Sequence, residues 1–200
     1  PQTLMTQLAR ILSGAGLTAL LSVFLAIPVV AAPPTFQTTA KQAILLDFDT
    51  GAVLFAKNAD TPMFPASMTK IMTSIIAFDE LRAGRLQLDS MLRVSETAWR
   101  KGGSKMFVRV NDEVKFEDLL RGVIVQSGND ASIVVAEGIS GTEAAFAGRM
   151  TERAREIGLD NSIFRNATGW PDPDHVTTAQ DLAKLASFLI REYTDFYGYY

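Results

Sequence analysis

Two hundred residues, 48% apolar and 20% charged, with 19 Lys+Arg against 22 Asp+Glu, describe a globular chain of net charge −3 and exclude low-complexity, fibrous and polyanion-binding classes; no nucleic acid partner is expected. The absence of cysteine removes disulfide scaffolds, thiol nucleophiles and thiolate metal sites, and a single histidine leaves little for a zinc centre or a Ser-His-Asp triad. Any catalysis must use another base.

The first element is a charge-free apolar run over residues 11–31, preceded by Arg10 and followed by the small residues Ala31 and Ala32. That is the layout of a secretory signal, with Val29 and Ala31 at the −3 and −1 positions. A run of this length also suits an uncleaved membrane anchor, but Gly14, Gly16 and Pro28 dilute it in favour of cleavage. The expected organisation is therefore a leader over 1–31, a Pro/Thr/Gln linker over 32–42, and a folded portion over 43–200, exported in either case.

Within that portion, 43–48 and 53–56 read as two strands around Asp49-Thr50-Gly51, with the glycine where a hairpin turn needs positive φ. Residues 67–81 carry Met68, Ile71, Met72, Ile75, Ile76 and Phe78 around most of a helical wheel, so this helix is expected to be buried on nearly every side; Pro62 and Pro65 set its start and Gly84 its end. Two further apolar helical segments, 116–126 and 131–137, bracket a polar loop, Ser127-Gly128-Asn129-Asp130. Thr142 caps a helix to about Ile157, closed by Gly158, whose Arg149, Glu152, Arg153 and Glu156 read as a solvated face. A last helix, 178–193, again opens on a threonine. Only two strands are recognised, so the sheet is expected to be completed by residues beyond 200.

Ser67-Met68-Thr69-Lys70 places a hydroxyl and an amine on one helix face, because i and i+3 are neighbours. Serine is a weak nucleophile until a base takes its proton, and lysine is that base only when neutral. Burial in a first helical turn, beside the positive end of the helix dipole, favours the neutral amine. About 0.4 such four-residue matches arise by chance in a chain with 12 Ser and 7 Lys, so the motif alone is weak. Ser127-x-Asn129 is as weak alone; the two in this order, each in a suitable setting, are stronger.

Taken with Pro65-Ala66 before the first motif, Gly102-Gly103-Ser104-Lys105-Met106, Gly122 to Ala131 and Thr177-Thr178-Ala179-Gln180-Asp181-Leu182-Ala183, the chain resembles the low-molecular-mass penicillin-binding proteins, the serine D-alanyl-D-alanine carboxypeptidases of bacterial cell-wall maturation. The resemblance implies the β-lactamase/penicillin-binding transpeptidase-like α/β fold with a helical subdomain. It implies Ser67 as the acylated nucleophile, Lys70 as its base, Ser127 as a proton shuttle, Asn129 as a substrate donor, and Ser104 at the edge of the site, although a glycine-flanked serine is as readily a plain turn. It further implies a peptidoglycan pentapeptide as substrate, β-lactams as inhibitors, a periplasmic location with peripheral inner-membrane association through a downstream segment, and no metal or organic cofactor.

The family's third motif, K-T-G, does not occur in these 200 residues. The chain is therefore read as the N-terminal part of a longer protein and expected to be inactive alone. A serine β-lactamase of the same fold is the alternative, though no Glu-x-x-x-Asn follows Asp130; a non-catalytic wall-binding scaffold is another. His175 reads as an exposed loop or capping histidine, Trp99 and Trp170 as packing at a core or lip, residues 196–200 as an aromatic patch or a segment beneath further strands, and the sequon Asn166-Ala167-Thr168 as accidental.

Overall fold

A hairpin opens the folded part of the chain. β1 (Ala43–Leu46) pairs antiparallel with β2 (Val53–Lys57), with an irregularity at Leu45/Leu46. The structure, a computed structural model, describes residues 36–200, of which Thr38–Tyr200 form one unit; the expected leader and the first four linker residues, 32–35, lie outside the described residues. The turn is organised by Asp47, whose carboxylate accepts the Thr50 N–H at 2.8 Å and the Thr50 hydroxyl at 2.5 Å, while Gly51 takes φ 73°. The first strand therefore ends two residues earlier than its apolar run suggests, because Asp47 is spent on the turn.

After a 3-10 turn at Ala66–Met68 comes α1 (Thr69–Arg82), with ten of its 14 residues buried. The expectation of an all-round buried helix holds, and the reason is its neighbours. α3 (Phe116–Ile124), α4 (Asn129–Ser140), α5 (Glu143–Ile157) and α6 (Ala179–Glu192) all pack on α1, leaving only Arg82 at its end exposed. Met72, Ile75 and Phe78 are 0% exposed at the centre of this core, with Leu119, Leu120, Ile133, Phe146 and Met150 around them.

The described residues hold more strands than the two expected. β3 (Met91–Arg93) pairs antiparallel with β4 (Glu113–Lys115), and the short α2 (Glu96–Arg100) is capped by Ser95, which accepts the Ala98 N–H at 3.0 Å. Three-residue strands carry too little alternation to be read from sequence. The threonine caps are present as expected: Thr142 accepts from Ala145 N–H and Thr178 from Asp181 N–H, and Gly158 closes α5 at φ 83°.

Two expectations are corrected. The charged stripe on α5 is not simply a solvated face. Glu152 and Glu156 are exposed, but Arg149 reaches across to the buried Glu80 of α1 at 2.5 Å, where Arg85 also binds at 2.7 Å, and Arg153 pairs with Asp79 at 3.1 Å beside Tyr193. The two arginines hold Glu80 below the usual carboxylate range and tie α5 to α1. The second correction is to the polar loop: Asn129 and Asp130 are not loop residues but the first turn of α4, leaving Val125 to Gly128 as the connection.

Asp130 explains why α4 begins there. Its carboxylate is fully buried and accepts four backbone N–H groups, from Met106, Phe107, Val108 and Ala131, at 2.9–3.2 Å. An anion at a helix N-terminus is favoured by the helix dipole, and here it also pins segment 106–108 against α4. Asp130→Ala, which strands these donors, is expected to lower stability by about 2–4 kcal/mol. Denaturant unfolding of the full-length gene product checks this, and a loss under about 1 kcal/mol would show that water replaces the carboxylate.

Candidate active site

Backbone strain marks both walls of one cleft. Ala66, with φ 48°, precedes Ser67, and Ser127 itself has φ 52°; neither is a glycine, and such conformations persist only where surrounding packing enforces them. The 3-10 turn leaves Ser67 exposed at the helix mouth, while Lys70, one turn on, is 4% exposed. Ser67, Lys70 and Ser127 line a cavity of about 300 Å³, walled by Met68, Ile71, Val123 and Ile124, with Tyr200 at its edge.

Lys70 Nζ lies 3.4 Å from Ser67 Oγ, 2.9 Å from Asn129 Oδ1 and 2.8 Å from the Thr168 carbonyl oxygen. All three partners are uncharged, so burial is uncompensated and pulls the amine from its ordinary 10.5 down to about 8. The geometry also orients it. A neutral amine has two N–H groups and one lone pair; Asn129 Oδ1 and Thr168 O can only accept, so they take the two N–H groups, and the lone pair is left for Ser67, the one partner that can donate. The 3.4 Å separation is long for a hydrogen bond, as is common before substrate binds.

Asn129 is 7% exposed and held at both ends of its amide: Oδ1 accepts from Lys70, and Nδ2 donates to Gly102 O at 2.9 Å, leaving one Nδ2 hydrogen for another acceptor. This contact requires glycine at 103, where a Cβ would stand 2.6 Å from Asn129 Nδ2. Ser104 is exposed and meets the site through its backbone, its carbonyl accepting the Asn129 N–H at 2.7 Å. Ser127 is half-buried and lines the same cavity as Ser67 and Lys70.

Two site features escape the sequence. Thr168 contributes only a main-chain carbonyl, presented by a tight loop: Asn166 Oδ1 accepts from the Thr168, Gly169 and Trp170 N–H groups and from the Thr168 hydroxyl, and its Nδ2 donates to Trp170 O. Gly169, at φ 79°, lies so close to the Ala66 carbonyl that a Cβ would be 1.8 Å from its oxygen. The Asn-x-Thr sequence is thus a loop lock. The second is His175, which is not an exposed loop residue: it is 1% exposed, and its Nε2 lies 3.0 Å from Thr69 Oγ1. The polar residues around it disguise a segment that forms isolated bridges from Thr177 to Met63 and from Val176 to Ile163. Trp99 and Trp170 are not core residues but 42% and 44% exposed; Trp170 lies against Gly102 and Gly103, with Lys101 Nζ 4.5 Å from its ring centre. In the aromatic tail, Phe196 stacks on Phe78 at 4.8 Å, so part of that segment belongs to the core.

Known proteins share this sequence and architecture. The family described as peptidase S11, D-alanyl-D-alanine carboxypeptidase, matches residues 28–200. The carboxypeptidase DacF of Bacillus subtilis is 40% identical over 163 residues, covering 80% of this chain and 42% of that protein; DacC of Escherichia coli is 36% identical over 203 residues, covering 97% and 51%. Among solved structures, the carboxypeptidase DacD of Francisella tularensis superposes with a TM-score of 0.82 at 40% identity, covering 86% of this chain and 42% of that one; penicillin-binding protein 5 of Haemophilus influenzae gives 0.80 at 38%, covering 85% and 50%. The chain thus spans about half the length of the relatives it matches. With the family profile running through both motifs and the fold shared at this level, the chain belongs to the peptidase S11 family of D-alanyl-D-alanine carboxypeptidases.

Proposed function

We propose that the full-length protein is a serine D-alanyl-D-alanine carboxypeptidase that trims the terminal D-Ala from peptidoglycan pentapeptides and is acylated by β-lactams. The observation that carries this is the Ser67–Lys70 pair: a hydroxyl at an open helix mouth, 3.4 Å from a buried amine whose lone pair has only that hydroxyl to turn to. The relatives' names, D-alanyl-D-alanine carboxypeptidase and penicillin-binding protein, support the substrate and inhibitor classes.

In this reading Ser67 Oγ adds to the carbonyl carbon between the two D-Ala residues as its proton passes to Lys70 Nζ. The tetrahedral adduct collapses, the C–N bond breaks, and the departing amine takes a proton through the Ser127 hydroxyl. Water then hydrolyses the Ser67 ester, so one water is consumed and free D-Ala released. The remaining Nδ2 hydrogen of Asn129 is suited to a substrate carbonyl, and the N-terminal end of α1 favours the developing oxyanion. Ser104 borders the substrate path. An exported, periplasmic protein with peripheral attachment to the cytoplasmic membrane belongs to the same proposal, supported by the leader-like run over 11–31 and by the proposed cell-wall substrate. Among the described residues no helix is long and apolar enough to cross a membrane.

Brief exposure of the full-length gene product to benzylpenicillin is expected to add the mass of one intact drug molecule, and Ser67→Ala to add none. Hydrolysed drug without an adduct would indicate a β-lactamase; intact drug without an adduct would favour a non-catalytic scaffold.

Lys70 must be neutral to act, and about a tenth of it is at pH 7 when its pKa is about 8. The acylation rate is therefore expected to rise roughly tenfold per pH unit below 7, bend near 8 and level above 9. Stopped-flow acylation across pH 5.5–9.5 measures this, and a flat profile would remove Lys70 from the base role. Lys70→Met is expected to slow acylation by about 10²–10⁴-fold.

A further inference from the structure

The only histidine in the sequence is buried one residue from the proposed base, and nothing in the mechanism above uses it. Its hydrogen bonds define its state. Nδ1 accepts the Arg165 backbone N–H at 3.3 Å, so in the neutral ring the proton sits on Nε2 and is donated to Thr69 Oγ1 at 3.0 Å. A second proton would set an Nδ1–H against the Arg165 N–H. Phe164 packs edge-on at 5.5 Å between ring centres. Burial is the main influence and pulls the pKa from 6.5 to about 4; of the charges facing the ring, Asp172 favours the protonated form and is outweighed, while Arg165 acts in the same direction as burial. The imidazole is thus a fixed neutral donor across the range in which such an enzyme would work.

What it fixes is the junction between α1 and segment 166–177. That segment is tied to α1 at three successive places: His175 to Thr69, the Thr168 carbonyl to Lys70, and the Ala167 carbonyl to Thr73 Oγ1 at 2.7 Å. His175 also stands where the chain turns back, its N–H bonded to Asp172 O, into the Val176 and Thr177 bridges. Among the described residues, its imidazole is the only side chain of segment 166–177 hydrogen-bonded to the first turn of α1, which carries Lys70 and follows directly on the 3-10 turn of Ser67.

We infer that His175 is a positioning residue for Lys70: by holding Thr69 against segment 166–177 it keeps the Thr168 carbonyl on the lysine amine, so that the lysine lone pair stays aimed at Ser67 and water stays out of the amine's pocket. The inference rests on the proposed role of Lys70 as base. Without the tie the loop moves off, the amine loses one of the acceptors that orient it, and water relieves the burial that depresses its pKa.

The test uses the full-length gene product with His175→Ala, His175→Gln and Thr69→Val. Gln keeps an N–H donor near the position of Nε2, while Val keeps the shape of Thr69 without its hydroxyl. Two readouts are taken against pH: penicillin acylation rate, and the titration of Lys70 followed by NMR with lysine labelled at Cε and Lys70→Met used for assignment. His175→Ala and Thr69→Val are expected to raise the Lys70 midpoint from about 8 toward 10 and to slow acylation roughly tenfold at pH 7, the scale of one lost orienting hydrogen bond, with Gln restoring most of both. Melting temperatures identify any variant that does not fold, and the remaining ones then decide. A Lys70 midpoint unmoved in folded His175→Ala or Thr69→Val would overturn the inference, even if melting temperature fell. If the unmutated protein is not acylated at all, the functional reading fails instead, and the NMR titration still decides whether His175 governs the Lys70 environment.

Discussion

Burying an amine without a counter-ion is the constraint from which much of this structure follows. Lys70 is placed in the core's outer layer with no carboxylate partner, and its nitrogen is met by oxygens from three separate stretches of chain: Ser67 one turn back, Asn129 at the start of α4, and Thr168 in the loop before α6. Each stretch must arrive accurately, because an amine left without acceptors in that setting would be more costly still. Segments far apart in sequence are thereby fixed to a few tenths of an ångström around one nitrogen. The same requirement explains the glycines at 103 and 169, which let backbone approach where any side chain would collide.

The scaffold behind the site is held by paired charges and apolar packing of a different character. Glu80 and Asp79 face away from the cleft on α1 and gather Arg85, Arg149 and Arg153, while Tyr193 donates its hydroxyl to Asp79 and lays its ring near Phe78 and under the Arg82 guanidinium at 4.4 Å. One face of the helix therefore carries fully compensated charge and the other a single uncompensated group. That division sets the Lys70 amine, whose shift is caused by burial alone, apart from the ionic network a few turns along the same helix.

Much of this was legible in the residues. Two short apolar runs around Asp-Thr-Gly found the hairpin, the apolar wheel of 67–81 found the central helix, and Thr142, Thr178 and Gly158 marked helix ends because capping chemistry is local. The Ser/Lys spacing placed two groups on one face for the same reason. What stayed hidden is non-local or carried by backbone. β3 and β4 are too short for a period to show, and the burial of His175 depends on a bridge to Met63 more than a hundred residues away. A carbonyl such as that of Thr168 has no side-chain signature at all. Asp130 looked like a loop residue because aspartate usually is one; four converging N–H groups made it the foot of a helix.

The Asn166 amide has a consequence for chemical ageing and for modification. Its oxygen and nitrogen are both engaged in shaping the loop, so the sequon is closed to glycan transfer once the chain has folded, and a sugar on Nδ2 would first have to displace the bond to Trp170 O. Hydrolysis of the same amide to a carboxylate would preserve the acceptor for the three backbone N–H groups while setting a negative oxygen against the Trp170 carbonyl. Damage at this one surface-proximal nitrogen would therefore be felt two residues along the backbone, at the oxygen that faces Lys70, with Ser67 chemically intact.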